Sequence, residues 1–267
     1  MANEAAARLA ATIVLLCDGA AGLEVFMVER HHAMDFASGA LVFPGGRVDE
    51  SDVALAGNPV LCPNSGGLGP AAIAVFLAAI RETFEECGVR FARPRHAATL
   101  IDEATLDALE TTHLEPLIDG KITFESVLTA YNLLPATDLL THFAHWITPR
   151  NQPKRYDTHF FLAEMPPDQV AIHDGEEAVD SLWITPRQAL ADAASGRFRL
   201  VFATQMNLMK LATYATAAEA IDVAREAKVV TVLPAVTQID ATRRLLRIPI
   251  EAGYGAAEFL VDVPPAS

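Results

Sequence analysis

Basic side chains are scarce in this chain: twenty Lys and Arg stand against thirty-four Asp and Glu, a formal charge of -14 over 267 residues. A surface that neutralises nucleic-acid phosphates needs the opposite excess, so nucleic acid is excluded as a partner. Cysteine is also sparse. Cys17, Cys62 and Cys87 are odd in number and lack metal-ligand spacing, which excludes a disulfide framework or a zinc knuckle and points to a reducing, cytoplasmic setting. Long hydrophobic runs are missing too. Ala10 to Cys17 is closed by Asp18 and has no cationic segment before it, too short for a membrane span and wrongly flanked for a signal peptide. What is present is 51% hydrophobic residues with no repeat or low-complexity linker, enough for one sizeable core with an appendage.

Leu9 to Leu16 and Leu23 to Val28 read as strands around a turn at Asp18 to Gly22, and Ala40 to Phe43 as a short strand running into Pro44-Gly45-Gly46. Val53 to Pro70, with four Gly and three Pro, reads as a loop insertion over 53–70. The stretch 97–140 carries weak helical patterns and reads as a helical insert. His142 to Thr148, Thr158 to Ala163 and Val179 to Ile184 return the chain to a sheet. Helices are expected over Arg187 to Ala194, Phe202 to Tyr214 and Ala217 to Ala227, followed by short strands. The organisation is one domain over 1–195 with a C-terminal extension, 196–267, packed on it.

The helix signal is strongest from Ala71 to Cys87, between Pro70 at its start and Gly88 at its end. With roughly 100° per residue and Glu82 at zero, Ile73, Phe76, Leu77, Ile80, Phe84 and Cys87 fall within about 60° of the opposite pole. Glu85 and Glu86 fall within about 60° of Glu82. Like charges so placed repel by about a few tenths of a kcal/mol per pair. An exposed acidic face is the ordinary explanation; the company of Gly45-Gly46, Arg81 and Gly88 suggests another.

Gly46, separated by five residues from Asp52, and then Arg81-Glu82-Thr83-Phe84-Glu85-Glu86-Cys87-Gly88-Val89 resemble the signature of the Nudix hydrolases. The box departs from the usual form in two ways. Asp52 stands where Glu is usual, and twenty-eight residues separate it from Arg81 in place of seven. This split box after Val42-Phe43-Pro44-Gly45-Gly46 is similar to the subgroup containing the coenzyme A and acyl-coenzyme A diphosphatases. So are Trp146-Ile147-Thr148-Pro149, Arg155 to Phe161 and Ser181 to Leu190.

The resemblance implies an α/β/α sandwich with a mixed sheet, and metal-dependent hydrolysis of a diphosphate link in a nucleoside diphosphate derivative. Coenzyme A or acyl-coenzyme A would yield 4′-(acyl)phosphopantetheine and 3′,5′-ADP. NADH, ADP-ribose or another nucleotide sugar is the alternative substrate, and a non-catalytic nucleotide-sensing module the alternative role. Mg²⁺ or Mn²⁺ accepts a few carboxylates and lets substrate phosphates complete its shell, so Glu82, Glu85 and Glu86 are the candidate ligands, with a Gly46 carbonyl implied by the family. Glu82, Glu85, Arg81 and Glu177 are the candidate catalytic residues: Arg81 orients the carboxylates, while Glu82 competes with Glu176, Glu177 and Asp180 as general base. Asp49 and Asp52 are candidates for water-mediated metal contact or for capping a helix.

Arg30 with His31-His32, and Arg150, Lys154 and Arg155, are the candidate phosphate-binding cations, the second group otherwise a solvated turn. Trp146 and Trp183 could stack on adenine or fill the core. His142 and His145, three apart on a strand, should point to opposite faces, which leaves them no shared ligand role. A small-molecule nucleotide is the expected partner, no membrane is involved, and the apolar patterns of 97–140 and 202–214 offer a homodimer surface.

Overall fold

A computed structural model describes residues 5–31, 39–63, 67–173, 175 and 178–262, apart from the side chain of Glu103. In order come β1 (Arg8–Gly19), β2 (Gly22–Arg30), β3 (Leu41–Val42), β4 (Gly45–Arg47), α1 (Glu50–Ala56) and α2 (Pro70–Cys87). The insert holds β5 (Ala92–Pro94), α3 (Glu103–Leu109), a π-helical turn, α4 (Glu115–Ile118), α5 (Phe124–Ala130) and β6 (Leu133–Pro135). Then follow β7 (Thr141–Ile147), β8 (Tyr156–Glu164), β9 (Ala178–Ile184), α6 (Pro186–Ala194), α7 (Phe202–Leu211), α8 (Ala217–Glu226) and β10 (Thr231–Val232). A final antiparallel sheet is formed by β11 (Ala235–Gln238), β12 (Arg243–Arg247) and β13 (Glu258–Asp262).

Among the described residues the main sheet has eight strands in the order β10-β7-β8-β1-β2-β3, with β4 on β1 and β9 on β2. It is mixed: β1 runs parallel to β8, and β7 antiparallel to β8. Successive β1 side chains go to opposite faces, and both faces are buried. Ile13 and Leu15 meet Leu77, Ile80 and Phe84 of α2, while Val14 and Leu16 join Met206, Leu208 and Ile221 from α7 and α8. This is the α/β/α sandwich, and each fully buried Leu, Ile or Phe contributes about 1.5–3 kcal/mol to holding it. β10, from the C-terminal segment, extends the main sheet by pairing with β7 at Thr231–His145.

Two expectations need correction. The 53–70 segment is not loop throughout, because α1 runs on to Ala56 with Leu55 and Ala56 buried against α2. The amide of Asp49, its N-cap, donates to Asp52 Oδ2 at 2.9 Å, a side-chain bond that composition does not reveal. His142 and His145 share one face: a bulge at His142/Ala144 puts His142 opposite Phe161 and His145 opposite His159, resetting the alternation.

Candidate active site

Helix α2 starts on Pro70 and ends where the Gly88 amide donates to Phe84 O at 3.0 Å. Its apolar stripe is anchored in the core, so its polar stripe is fixed against β4 and α1. Arg81 sits at the centre of that stripe and is 7% exposed. Its Nε and Nη2 donate to the two oxygens of Asp52 at 3.0 and 2.9 Å, and Nη2 also donates to Arg47 O at 3.0 Å. Nη1 lies 2.9 Å from Glu82 and 2.8 Å from Glu85. One guanidinium thus ties two acidic residues of α2 to α1 and to the end of β4.

The glycine pair closes over this cluster. Gly45 has φ +151, where a side chain is strained, and a Cβ there would overlap the backbone of Ala11 and Thr12. The Gly45 amide donates to Glu86 Oε2 at 3.1 Å. A Cβ on Gly46 would instead occupy the place of the Glu82 carboxylate. The Gly-Gly sequence therefore lets β4 pair with β1 while the α2 carboxylates come right up to the loop.

Burial is the main cause that pushes Glu82 up to about 7; Arg81 opposes it, and Glu85 and Asp52 add to it. Glu85 is pushed to about 7 likewise, by burial first, against Arg81. Burial works against the charge of Arg81, but the Asp52 hydrogen bonds and the charges of Glu82, Asp52 and Glu85 outweigh it and hold its pKa above normal. Four carboxylates (Asp49, Asp52, Glu82, Glu85) lie within 3.8 Å of this single guanidinium, and a fifth, Glu86, is held beside them by the Gly45 amide. That surplus of hard oxygen donors, short of positive charge and pressed against a glycine that leaves no room for a Cβ, fits a hard divalent cation.

A cleft of about 510 Å³ opens from Glu82, Glu86, Gly46 and Arg47. Its wall continues through Thr12, Tyr156 and Thr158 to Trp146, Phe202, Pro234 and Leu246. Trp146 does double duty: it lines the cleft, and its Nε1 donates to Tyr254 at 2.9 Å in the core. Trp183 packs on Phe26 at 5.4 Å and is not in the cleft lining. Of the candidate cations, Arg30 lines the cleft. Arg155 does not: it is buried, and donates to Thr148 O at 3.1 Å and Ala5 O at 2.7 Å, tying down the turn and the chain start. Arg150 and Lys154 are exposed and outside the described lining, although Pro149 and Tyr156 belong to it.

Asp180 is exposed, with Oδ1 accepting from the Ser181 amide at 2.8 Å. Glu176, Glu177 and His32 lie outside the described residues. Asp52, 1% exposed, is the anchor of Arg81 and the partner of its own helix cap. Arg47 and the cleft residues from 201 to 246 escaped sequence reasoning. Arg47 reaches the cleft because it follows Gly46 on β4, whereas nothing local marks the others, which only the folding back of the C-terminal segment brings there. The histidines form a second polar cluster. Burial first, and neighbouring rings second, hold both His142 and His159 down at about 4.

A mixed sandwich whose Arg-Glu-x-x-Glu-Glu helix faces a glycine loop is the form of the Nudix hydrolases. More narrowly, a family model described as the NUDT19 Nudix domain matches residues 59–201, over half of the chain, and the chain belongs to that family. The acyl-coenzyme A diphosphatase NUDT19 of Homo sapiens is 25% identical over 234 residues, covering 74% of this chain and 62% of that protein. Its namesake in Gallus gallus is 28% identical over 233 residues, covering 67% and 61%. The chain thus spans less than two thirds of either relative. A crystal structure of a Nudix hydrolase from Alicyclobacillus acidocaldarius matches with a TM-score of 0.65 at 30% identity, covering 81% of this chain and 96% of that one. Among the described residues, no helix is long and apolar enough to cross a membrane.

Proposed function

We propose that the chain hydrolyses the diphosphate of coenzyme A or acyl-coenzyme A, using Mg²⁺ or Mn²⁺, to give 4′-(acyl)phosphopantetheine and 3′,5′-ADP. The observation that carries this reading is the cleft, in which a carboxylate end at Glu82 and Glu86 continues into an apolar end at Trp146, Phe202 and Leu246. That profile suits a substrate whose diphosphate is attached to a long, weakly polar arm. The names of the vertebrate relatives support the same substrate class.

Glu82, Glu85 and Glu86 would hold the cation, with Gly46 beside them. Bound there, the cation neutralises diphosphate charge and acidifies the attacking water. Arg81 keeps Glu82 and Glu85 aligned, fixed in turn by Asp52. A carboxylate accepts the proton of the water as its oxygen bonds to phosphorus and the bridging P–O bond breaks. Glu82 competes for that role with Glu176, Glu177 and Asp180. Arg30 is the candidate contact for a substrate phosphate.

The test is a substrate panel of coenzyme A, short- and long-chain acyl-coenzyme A, NADH, ADP-ribose and nucleotide sugars. Products are resolved by chromatography with each metal, for wild type and Glu177→Gln. Release of 3′,5′-ADP, with the highest kcat/KM on the coenzyme A series, is expected. Preference for NADH or ADP-ribose would move the substrate assignment, and binding without turnover would make the domain a sensor.

A further inference from the structure

We propose that His145, Asp157 and His159 form a second metal site, for Zn²⁺ or a similar first-row divalent cation, on the sheet face opposite the β8 side chains that line the cleft. Along β8, Tyr156, Thr158 and Phe160 line the cleft, so Asp157 and His159 belong to the opposite face. His145 of β7 pairs directly with His159, and their rings stack at 4.0 Å. One ligand atom from each of the three residues lies within 4.8 Å of the others. A tetrahedral zinc, with bonds of about 2.0–2.1 Å, spaces its ligand atoms roughly 3.3 Å apart, so small side-chain rotations close the site.

The surroundings of the two imidazoles favour ligation over a chance cluster. A ligating histidine is usually oriented through its other ring nitrogen. Here Nδ1 of His145 is within 2.8 Å of Thr231 Oγ1, and Nδ1 of His159 is within 3.1 Å of His142 Nε2. Both Nδ1 atoms are therefore engaged, which designates Nε2 as the ligating nitrogen of each ring. Nε2 of His145 already meets the Asp157 carboxylate, the hard ligand that two imidazoles need to complete a mixed N/O set. Asp157 is 31% exposed at its side chain, and an open hollow lined by Thr141, His142, His145 and Ala224 adjoins the rings, leaving a route and a water position for the cation. Such an ion would join β7 to β8 and, through Thr231, to the C-terminal segment.

This site is independent of the diphosphatase reading and can be tested without it. In the Glu85→Gln/Glu86→Gln protein, which weakens the α2 carboxylates as ligands, Zn²⁺ is measured by elemental analysis after equilibrium dialysis. Co²⁺ is used as a spectroscopic probe. One equivalent of Zn²⁺ is expected, together with tetrahedral Co²⁺ absorption and Co²⁺-shifted imidazole ring protons in NMR. His145→Ala and Asp157→Asn should each lose that equivalent, while in the otherwise wild-type chain they leave diphosphate hydrolysis within about twofold. Stoichiometry unchanged by His145→Ala, or no imidazole signals shifted by Co²⁺ in the folded double variant, would overturn the proposal. The NMR result decides even if a histidine variant fails to fold.

Discussion

Arg81 and Asp52, twenty-nine residues apart in sequence, meet in a bidentate pair: Nε and Nη2 of one donate to both oxygens of the other at 3.0 and 2.9 Å. This pair keeps the two halves of the split box together across the 53–70 insertion. It also explains why an Asp serves at position 52, because the capped start of α1 brings its short side chain directly to the guanidinium. Removing one partner of a buried pair costs about 3–5 kcal/mol, and here Arg81 keeps Glu85, so Asp52→Asn should cost about 2–3 kcal/mol. Urea titration reads this directly. An unchanged midpoint would mean that Asp52 does not anchor the helix.

The two box glycines should fail in different ways. Gly45→Ala meets the backbone of β1 and should abolish cooperative folding or lower the melting temperature by many degrees. Gly46→Ala meets only the end of a flexible glutamate, so the fold should survive, with turnover down by about 10²-fold as Glu82 is displaced. Thermal denaturation beside steady-state kinetics separates the two. Equal stability loss in both variants would contradict this division.

The helix and its glutamates were legible in the sequence because a 3.6-residue period with a proline start and a glycine stop leaves little freedom. The central strands were legible for a similar reason, being bounded by turns. The His142/His145 geometry was not. A single bulge reverses the alternation, and no residue type there announces it. The carriers of Arg81 were only half visible: Glu85 is one helical turn away, whereas Asp52 depends on how the insertion folds. Arg155 reads as a phosphate contact because it clusters with Arg150 and Lys154 in an otherwise acidic chain, but it donates to the carbonyls of Thr148 and Ala5.

Without metal, stability should depend on pH in two limbs. Burial pushes Glu82 and Glu85 up to about 7 from 4.5, so the folded state holds extra protons and gains stability as pH falls through 7. Burial holds His142 and His159 at about 4, below 6.5, so their contribution is lost as pH falls below 6.5. The melting temperature in EDTA should therefore rise from pH 8 to about 6.5, where the carboxylates act alone. Mg²⁺ or Mn²⁺, which ligates the ionised form, should stabilise more at pH 8 than at 6.5. A flat metal-free profile over that interval would refute the burial of these two charges.

The apolar end of the cleft should act on binding rather than on chemistry. Phe202→Ala is expected to raise KM for acyl-coenzyme A about tenfold, near 1.4 kcal/mol, with kcat changed less than about twofold. A fall in kcat at constant KM would assign Phe202 to the reaction centre instead.

The most direct test of the central claim is the rate of 3′,5′-ADP release from coenzyme A at saturating Mg²⁺ or Mn²⁺, for wild type, Glu85→Gln and Glu86→Gln. The expected result is turnover in wild type, abolished by EDTA and reduced at least about 10³-fold in each variant, with wild-type circular dichroism. Near-wild-type turnover in either folded variant would contradict the claim that these carboxylates hold the catalytic metal.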